Sequence, residues 1–338
     1  KIGNILLSDF EGDAGELLKG SAGSEVELSY TRQGKTNTTS LKRGAIDVHA
    51  VPFYKLINDD IGYIVLSKFN KKTTVETKNA LEELKSQGAT KIILDLRGNP
   101  GGLLHEAISI VNLFVPKNEI ITTTKSVIKK YNKTYKTLKE PVDTEIPLVV
   151  LVNGRSASAS EIVSGGLQDL DRAVIIGARS FGKGLVQRPK ELTYGTQLKV
   201  TISRYYTPSG RCIQALDYWN RDENGDPVRL DPKEYNSYKT KGGRTVYDGG
   251  GILPDVEVEA AKFSPITTAL LKDHGIFDFA TDYYYSHELN DWSEFVFTET
   301  DFQEFLKFLK TNNFEYETES EKEFAEALRK AEADKLEE

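Results

Sequence analysis

Two short segments carry side chains that could perform nucleophilic chemistry, and the first is NGRSASASE at residues 153–161. It directly follows an apolar run and leads into a helix-like segment. A serine hydroxyl at such a turn would lie beside the unpaired N–H groups and the positive dipole end of the helix. Those N–H groups could hold the oxyanion that forms when the hydroxyl attacks a carbonyl. On its own, the serine run is more typical of helix capping than of catalysis.

The second segment is GARSFGKG at residues 177–184, which nearly matches the phosphate-binding pattern G-x-x-x-x-G-K-[ST]. A phosphate-binding loop needs a hydroxyl residue after the lysine, to ligate Mg²⁺, and a helix whose N-terminus faces the phosphates. Here Gly184 stands at the hydroxyl position, and Pro189 would stop a helix within its first turns. A nucleotide-dependent enzyme is therefore a weak alternative, and a glycine-rich turn with a solvated lysine is the simpler one.

A nucleophilic serine needs a base, and no histidine neighbours the serine run. Lysine can act as the base when it is neutral, as in Ser–Lys enzymes. An ordinary lysine pKa near 10.4 would have to fall by about 3 pH units, or roughly 4 kcal/mol. Burial beside apolar residues such as Phe181 and Leu185 could supply this for Lys183. The amide of Gln187 could orient the amine without adding a charge, whereas a carboxylate would favour the protonated lysine.

The elements around these segments alternate between strand and helix. Apolar runs predict buried strands at residues 63–66, 91–96, 147–152 and 173–176, and periodic segments predict helices at 74–86, 102–114 and 159–170. An alternating pattern at 197–203 predicts a half-buried strand. Short apolar strands separated by helices imply βαβ units and a largely parallel sheet.

The two ends of the chain differ from this central pattern. Residues 11–20 are helix-like and residues 25–32 alternate as a strand, but this part is too short for an independent core. Residues 301–310 place four apolar side chains on one helical face. The sequence SEKE at 320–323 predicts a capping box that opens a charged final helix. Core packing or a partner surface is the expected role of both helices.

Composition and charge exclude several classes of protein. The chain has 338 residues, enough for roughly two or three domains, and its formal charge of −7 argues against nucleic acid as a partner. No apolar run approaches the ~20 residues of a membrane span, and the N-terminus is no signal peptide. Its single Cys212 forbids an internal disulfide, and without Cys or His clusters we expect no metal. The absence of Met suggests a processed fragment.

Together these residues resemble the carboxyl-terminal processing, or tail-specific, serine peptidases. The matching segments are SASASE (156–161), FGKGLVQ (181–187), LDLRGNPGGLL (94–104), YYTPSGRCIQ (205–214) and GGGILPDVEV (249–258). The resemblance implies Ser158 as the nucleophile, Lys183 as the general base and Gln187 as the partner that orients the base. The interval of 25 residues between serine and lysine (183 − 158) agrees with the family spacing.

The resemblance also implies the oxyanion donors and the architecture. The donors would be the backbone N–H of Ala159 and that of Gly101 or Gly102, and no cofactor or metal is implied. The implied fold is α/β, with a crotonase-like, ββα-type peptidase core and a mostly parallel sheet at residues 46–260. A partial PDZ domain at 1–45, without its carboxylate-binding front, would precede the core. A helical C-terminal region at 261–338 would follow it.

The implied reaction is endoproteolysis through a serine acyl-enzyme. Substrates would be unstructured or C-terminally exposed segments of proteins or peptides, with small or apolar residues near the cut. A homo-oligomer and membrane-associated substrates are compatible with the family, whose usual location is the bacterial periplasm or cell envelope. The alternative is a non-catalytic binding protein on the same fold, against which the joint presence of Ser158, Lys183 and Gln187 argues.

Overall fold

The computed structural model describes residues 1–32, 34–259, 262–288 and 295–333. The chain divides into two compact units, Lys1–Glu259 and Ala260–Glu338, which we describe separately. Within the described ranges, no helix combines the length and the apolar character that crossing a membrane requires.

The first unit is mixed α/β. Its strands are β1 (Glu25–Arg32), β2 (Lys35–Lys42), β3 (Phe53–Ile57), β4 (Ile61–Val65), β5 (Lys91–Asp95), β6 (Ile120–Lys125), β7 (Lys133–Lys136), β8 (Leu148–Val152), β9 (Val174–Gly177), β10 (Leu185–Glu191), β11 (Gln197–Tyr206), β12 (Leu216–Arg221), β13 (Pro227–Arg229), β14 (Ser237–Lys239), β15 (Thr245–Tyr247) and β16 (Val256–Glu257). Its helices are α1 (Ala14–Leu18), α2 (Thr73–Ser86), α3 (Leu104–Phe114) and α4 (Ala159–Asp169).

A central sheet carries the core of this unit. Among the described residues its strand order is β16-β9-β8-β5-β4-β3. Strand β3 is antiparallel to β4, and the other neighbouring pairs are parallel. Ile64, Leu94, Val150 and Ile175, one from each of four adjacent strands, are completely buried, as expected for a parallel sheet that is covered on both faces. The mostly parallel α/β sheet predicted from the sequence is thus confirmed.

Helix α3 begins two residues later than the sequence pattern predicts. Gly102 lies outside the helix with φ of +150° and pairs with Phe69 through an isolated β-bridge. A Cβ atom on Gly102 would lie 2.1 Å from the Phe69 carbonyl oxygen, so the backbone approaches closely here because there is no side chain. This contact keeps the glycine segment extended until Leu104 starts the helix.

A second, antiparallel sheet has the order β10-β11-β6-β7 among the described residues. Strands β10 and β11 form a long hairpin, most of which is exposed. Pro189 lies in β10, an edge strand of this sheet, which is the usual place for a proline within a sheet. The predicted strand at 197–203 continues to Tyr206, and this extension carries Tyr205 into the core.

The N-terminal part of the unit forms a hairpin and a short helix. Strands β1 and β2 pair antiparallel from Glu25–Lys42 to Arg32–Lys35. Helix α1 covers five residues of the predicted 11–20, because the Asp13 side chain caps its start by accepting from the Gly15 N–H at 2.8 Å. The assignment of residues 1–45 to a partial PDZ domain stays a prediction.

The second unit is helical, as predicted. Its helices are α5 (Pro265–Lys272), α6 (Gly275–Ser286), α7 (Glu299–Thr311) and α8 (Glu319–Ala333). Aromatic rings join α6 to α7, with the Phe279 ring centroid 5.0 Å from that of Phe305. The capping box predicted at residues 320–323 is wrong by two residues. The N–H of Thr318 donates to the Glu321 carboxylate at 2.7 Å, and the Glu321 N–H donates back to the Thr318 hydroxyl at 3.1 Å.

Candidate active site

Three loops meet at the carboxyl edge of the central sheet. Strand β5 leads into residues 96–102, β8 into 153–158 and β9 into 178–184. These strands are parallel neighbours, so their carboxyl ends lie side by side, at the edge where α/β sheets usually bind ligands. Every site residue predicted from the sequence, except Gln187 in β10, lies in or directly after one of these loops.

Ser158 occupies the sharp turn between β8 and α4. Its φ of +56° and ψ of −110° lie in a region that non-glycine residues rarely adopt, at a cost of about 1–3 kcal/mol. An ordinary N-cap residue has an extended backbone instead. The buried Ser156 hydroxyl holds the turn, since it donates to the Leu96 carbonyl at 2.8 Å and accepts from the Asn153 N–H at 3.0 Å. Strain that is held in place this firmly indicates a functional constraint on Ser158.

Glu161 connects the serine turn with the lysine loop, and its side chain is completely buried. One carboxylate oxygen accepts from the Ser180 hydroxyl at 2.6 Å and from the Gly182 N–H at 2.7 Å. The other accepts from the N–H of Ser158 at 2.7 Å and from that of Lys183 at 2.9 Å. Burial raises the pKa of Glu161, although these four donors act in the opposite direction. The carboxylate therefore fixes the backbones of the predicted nucleophile and base relative to each other.

Tyr205 of β11 forms a second bridge between the same two residues. Its buried hydroxyl donates to the Lys183 carbonyl at 2.6 Å and lies 3.3 Å from the Ser158 carbonyl oxygen. Its backbone N–H donates to the Gly184 carbonyl at 3.0 Å. Burial raises the pKa of Tyr205 well above its ordinary value, so the hydroxyl remains a donor across the neutral range. Two buried side chains thus hold the turn and the loop together.

Lys183 lines an open cleft of about 580 Å³. The cleft is lined by Gly98, Pro100, Gly154, Arg155, Ala157, Phe181, Gly182, Lys183, Leu185, Gln187, Gln214, Leu216 and Tyr218. Lys183 takes part in none of the ion pairs within the described ranges. Gln187 is exposed and sits at a β-bulge between β10 and β11. Lys183 is half-buried, and among the described residues no carboxylate lies within ion-pair distance of its amine.

The side chains of Ser158 and Lys183, both within the described ranges, form no hydrogen bond with each other in this structure. Their backbones are joined through Glu161 and Tyr205. In proteins without bound substrate, hydrogen bonds between reacting groups are often long and tighten only when substrate binds. The resting arrangement therefore places the two residues together without linking their reactive atoms.

Asn99 shapes the glycine loop after β5 and is itself completely buried. Its side-chain amide donates to the Leu66 carbonyl at 2.7 Å, and its side-chain oxygen accepts from the Gly101 N–H at 2.9 Å. Its carbonyl oxygen accepts from the Ala157 N–H at 3.0 Å and from the Ser160 hydroxyl at 2.9 Å. The glycine loop is thereby fastened to both sides of the turn that carries Ser158.

Gly101 lies directly against that turn, with φ of +96°. A Cβ atom on Gly101 would lie 2.6 Å from the Ala157 carbonyl oxygen, 2.8 Å from the Ala159 nitrogen and 2.9 Å from the Ser158 Cβ. These separations are shorter than van der Waals contact, so glycine is required here both for space and for its backbone conformation.

The phosphate-binding alternative for residues 177–184 is contradicted by the loop's own hydrogen bonds. The N–H groups of Gly182 and Lys183 donate to the Glu161 carboxylate, and the Gly184 N–H donates to the Gln214 side-chain oxygen at 2.7 Å. The loop then enters strand β10 and not a helix. The N–H groups that would hold a phosphate are therefore occupied, and the loop does not lead into the helix that such a site requires.

Sequence reasoning missed three residues that organise the site, namely Glu161, Asn99 and Tyr205. Glu161 follows Ser158 in the S-x-x-E spacing of a capping box, which was a usable signal. Asn99 and Tyr205 lie within matched segments, but nothing in the pattern distinguishes them from their neighbours.

Comparisons with known proteins identify what the chain is similar to. Residues 60–218 match the profile of peptidase family S41, and residues 266–338 match that of a "Probable PDZ-protease, C-terminal helical domain". The carboxy-terminal-processing protease of Bartonella bacilliformis is 40% identical over 210 residues, which cover 60% of this chain and 48% of that protein. The carboxyl-terminal-processing protease of Picosynechococcus sp. is 35% identical over 238 residues, which cover 69% and 55% respectively.

A solved structure, the photosystem II D1 C-terminal processing protease, matches with 28% identity and a TM-score of 0.47, over 73% of this chain and 58% of that one. The chain spans about half the length of the curated relatives it matches. The predicted resemblance to the carboxyl-terminal processing proteases is confirmed by the profile match and these relatives. Over residues 60–218, the chain therefore belongs to peptidase family S41.

Proposed function

We propose that this chain is a serine endopeptidase in which Ser158 is the nucleophile and Lys183 is the general base. One observation carries the proposal: Glu161 accepts hydrogen bonds from the backbone N–H of both residues while its side chain is completely buried. A buried carboxylate is expensive and persists only when its donors are well placed. The Glu161 side chain holds the strained backbone of Ser158 next to Lys183, which has no ionic partner. This arrangement favours catalysis by Ser158 over helix capping.

In the first step, the neutral Lys183 amine takes the proton from the Ser158 hydroxyl, and the hydroxyl oxygen attacks the scissile carbonyl. The residues that line the cleft include no carboxylate, so the lysine has no anionic partner there. The Gln187 amide lines the same cleft and orients the amine as a neutral hydrogen-bond acceptor.

The oxyanion of the tetrahedral intermediate is held by backbone N–H groups. Ala159 is the first residue of α4, and an N–H at that position has no partner within its helix. Gly101 and Gly102 are the two candidates for the second donor. Because the Gly101 N–H already donates to Asn99, we assign the donor role to Gly102. Gly101 then serves to let the loop approach Ser158.

The reaction is completed by three further proton transfers. The lysine ammonium protonates the departing amine, which releases the C-terminal product and leaves an acyl-Ser158. Lys183 then takes a proton from the water that attacks the ester, and it returns this proton to the Ser158 oxygen as the acid product leaves. No metal or cofactor is needed for any of these steps.

The substrates we propose are unstructured or C-terminally exposed segments of proteins or peptides, because similar proteins are carboxyl-terminal-processing proteases. Apolar side chains form much of the cleft wall, which suits small or apolar residues near the cut. We further propose the bacterial periplasm or cell envelope as the location, which membrane-associated substrates and a homo-oligomer would fit. Similar proteases occur in bacteria.

The direct test is to incubate the chain with an unfolded protein and to compare intact masses before and after. We expect new fragments whose ends map to unstructured segments. A Ser158→Ala preparation, purified in the same way, controls for contaminating proteases. Binding of the unfolded protein without new fragments would favour the non-catalytic binding protein, and neither binding nor cleavage would contradict both.

Replacing Tyr205 by phenylalanine should lower kcat about tenfold and leave KM nearly unchanged. The change removes the hydroxyl that bridges the Lys183 and Ser158 carbonyls, a buried hydrogen bond that contributes about 1 kcal/mol to stability. Tyr206→Phe is the matched control, since it alters the adjacent residue of β11. Separate kcat and KM values, with the melting temperature, decide the outcome. An unchanged kcat in the Tyr205 variant would show that the Tyr205 hydroxyl does not contribute to catalysis.

A further inference from the structure

The cleft beside Lys183 has a charge that contrasts with the rest of the chain. The formal net charge of the protein is −7, yet the lining residues include two cations, Arg155 and Lys183, and no carboxylate. Its apolar wall consists of Pro100, Phe181, Leu185, Leu216 and Tyr218. A cleft with this lining attracts an anionic group next to an apolar one.

Arg155 is placed three residues before Ser158, in the loop that follows β8. Its backbone is fixed, because its N–H donates to the Asn153 side-chain oxygen at 3.0 Å and the Gly98 N–H donates to the same oxygen at 3.0 Å. Its side chain is exposed and forms no hydrogen bond or ion pair within the described ranges. A guanidinium on a rigid turn beside a nucleophile is thus available to a ligand.

The two cations of the cleft cannot share one role. A carboxylate paired with Lys183 would favour its ammonium form, which cannot accept the serine proton. Arginine keeps its charge under all relevant conditions and presents a planar fork that fits a carboxylate through two hydrogen bonds. A substrate carboxylate that reaches this cleft is therefore compatible with catalysis only when Arg155 is its partner.

We propose that Arg155 determines specificity by pairing with a substrate carboxylate, an inference that rests on the proposed function. An apolar residue of the same substrate segment then lies against the cleft wall. The carboxylate is either an Asp or Glu side chain close to the scissile bond or the terminal carboxylate of a short tail. Both sources present the same group to the guanidinium.

The test compares four peptides. Two carry Glu near the cut and two carry Gln at the same position, and each sequence is made with a free and with an amidated C-terminus. For the wild type, we expect kcat/KM to be about five- to tenfold higher for the peptides that carry the recognised carboxylate than for the amidated Gln peptide, which has neither carboxylate. The difference should arise mainly in KM. In Arg155→Gln this ratio should fall to about one. In Arg155→Glu the preference should turn toward a matched peptide with Lys.

Arg329→Gln removes the same charge from an exposed position of α8 in the other unit and should keep the wild-type ratio. Loss of the preference on Glu→Gln replacement identifies a side-chain carboxylate, and loss on amidation identifies the terminus. Equal kcat/KM values for all four peptides in the wild type would overturn the inference but not the proposed function.

Binding measurements keep the inference separate from catalysis. The dissociation constants of the same peptides are measured by fluorescence anisotropy for Ser158→Ala and for the double variant Ser158→Ala/Arg155→Gln. We expect tighter binding of the carboxylate peptides by the first protein and no such preference in the second. If the wild type cleaves nothing while this binding difference persists, the peptidase proposal fails and the role of Arg155 stands. If the binding difference is absent as well, both fail.

Discussion

Replacing either Ser158 or Lys183 by alanine is expected to lower kcat/KM for an unfolded protein at least about a thousandfold. In the proposed mechanism, the first change removes the attacking oxygen and the second removes the group that takes its proton. Because the two residues act on the same step, the double variant should be no slower than either single variant. Lys183→Arg should fail equally, since a guanidinium cannot lose its proton.

The fold should survive these changes, because neither residue contributes its side chain to the hydrophobic core. We expect melting temperatures within about 2 °C of the wild type. Lys190→Ala is the matched control, as it removes an exposed lysine from β10 of the same unit and should retain normal activity. Cleavage by the Lys183→Ala variant at more than a tenth of the wild-type rate would remove the lysine from the mechanism.

The elements that build this site were predictable because their sequence signals are local. Apolar runs of four to six residues marked β5, β8 and β9, and each ends at a loop with small residues. The positions of Ser158 and Lys183 followed from compact motifs. Their closeness in space follows from the sheet order, since β8 and β9 are adjacent parallel strands and both loops leave the same edge.

Other features of the site depend on contacts that a linear pattern does not contain. Gly101 and Gly102 are equivalent in sequence, and only the hydrogen bond to Asn99 separates a donor already in use from an available one. Tyr205 lies two residues beyond the predicted strand and reaches two carbonyls that are distant in sequence. The start of α3 was misplaced for the same reason, because the bridge to Phe69 is a tertiary contact.

Glu161→Ala is expected to reduce both stability and activity strongly. Removal of the carboxylate leaves four donors without their acceptor: the N–H groups of Ser158, Gly182 and Lys183 and the Ser180 hydroxyl. Unsatisfied buried donors cost about 1–3 kcal/mol each, partly relieved by entering water. We therefore expect a loss of about 3–5 kcal/mol in the free energy of unfolding, measured by urea denaturation, and a kcat at least about a hundredfold lower.

Glu161→Gln distinguishes the effect of Glu161 on the positions of Ser158 and Lys183 from its effect on the stability of the fold. Each carboxylate oxygen accepts two hydrogen bonds, and an amide offers only one oxygen, so its NH₂ group must face two donors. Either the Ser158 and Lys183 N–H groups or the Ser180 and Gly182 pair loses its acceptor. Glu76→Gln is the matched control, because the Glu76 carboxylate holds the backbone N–H of Ala50 and Val51 outside the three loops. We expect both variants to lose stability but only the Glu161 variant to lose kcat.

The pH dependence of stability tests whether the Glu161 carboxylate is retained for the geometry of the site and not for the stability of the fold. Burial raises the pKa of Glu161 above its unfolded value, so its contribution to stability is fully present below the unfolded pKa and is lost as pH rises through the folded pKa. The stability advantage of the wild type over Glu161→Gln should therefore be smaller near pH 8 than near pH 4, while its advantage in kcat persists near pH 8. Urea denaturation at both pH values measures the first quantity. A stability advantage that grows with pH would mean that the ionised carboxylate is itself a net stabilising group, and its retention would then need no catalytic explanation.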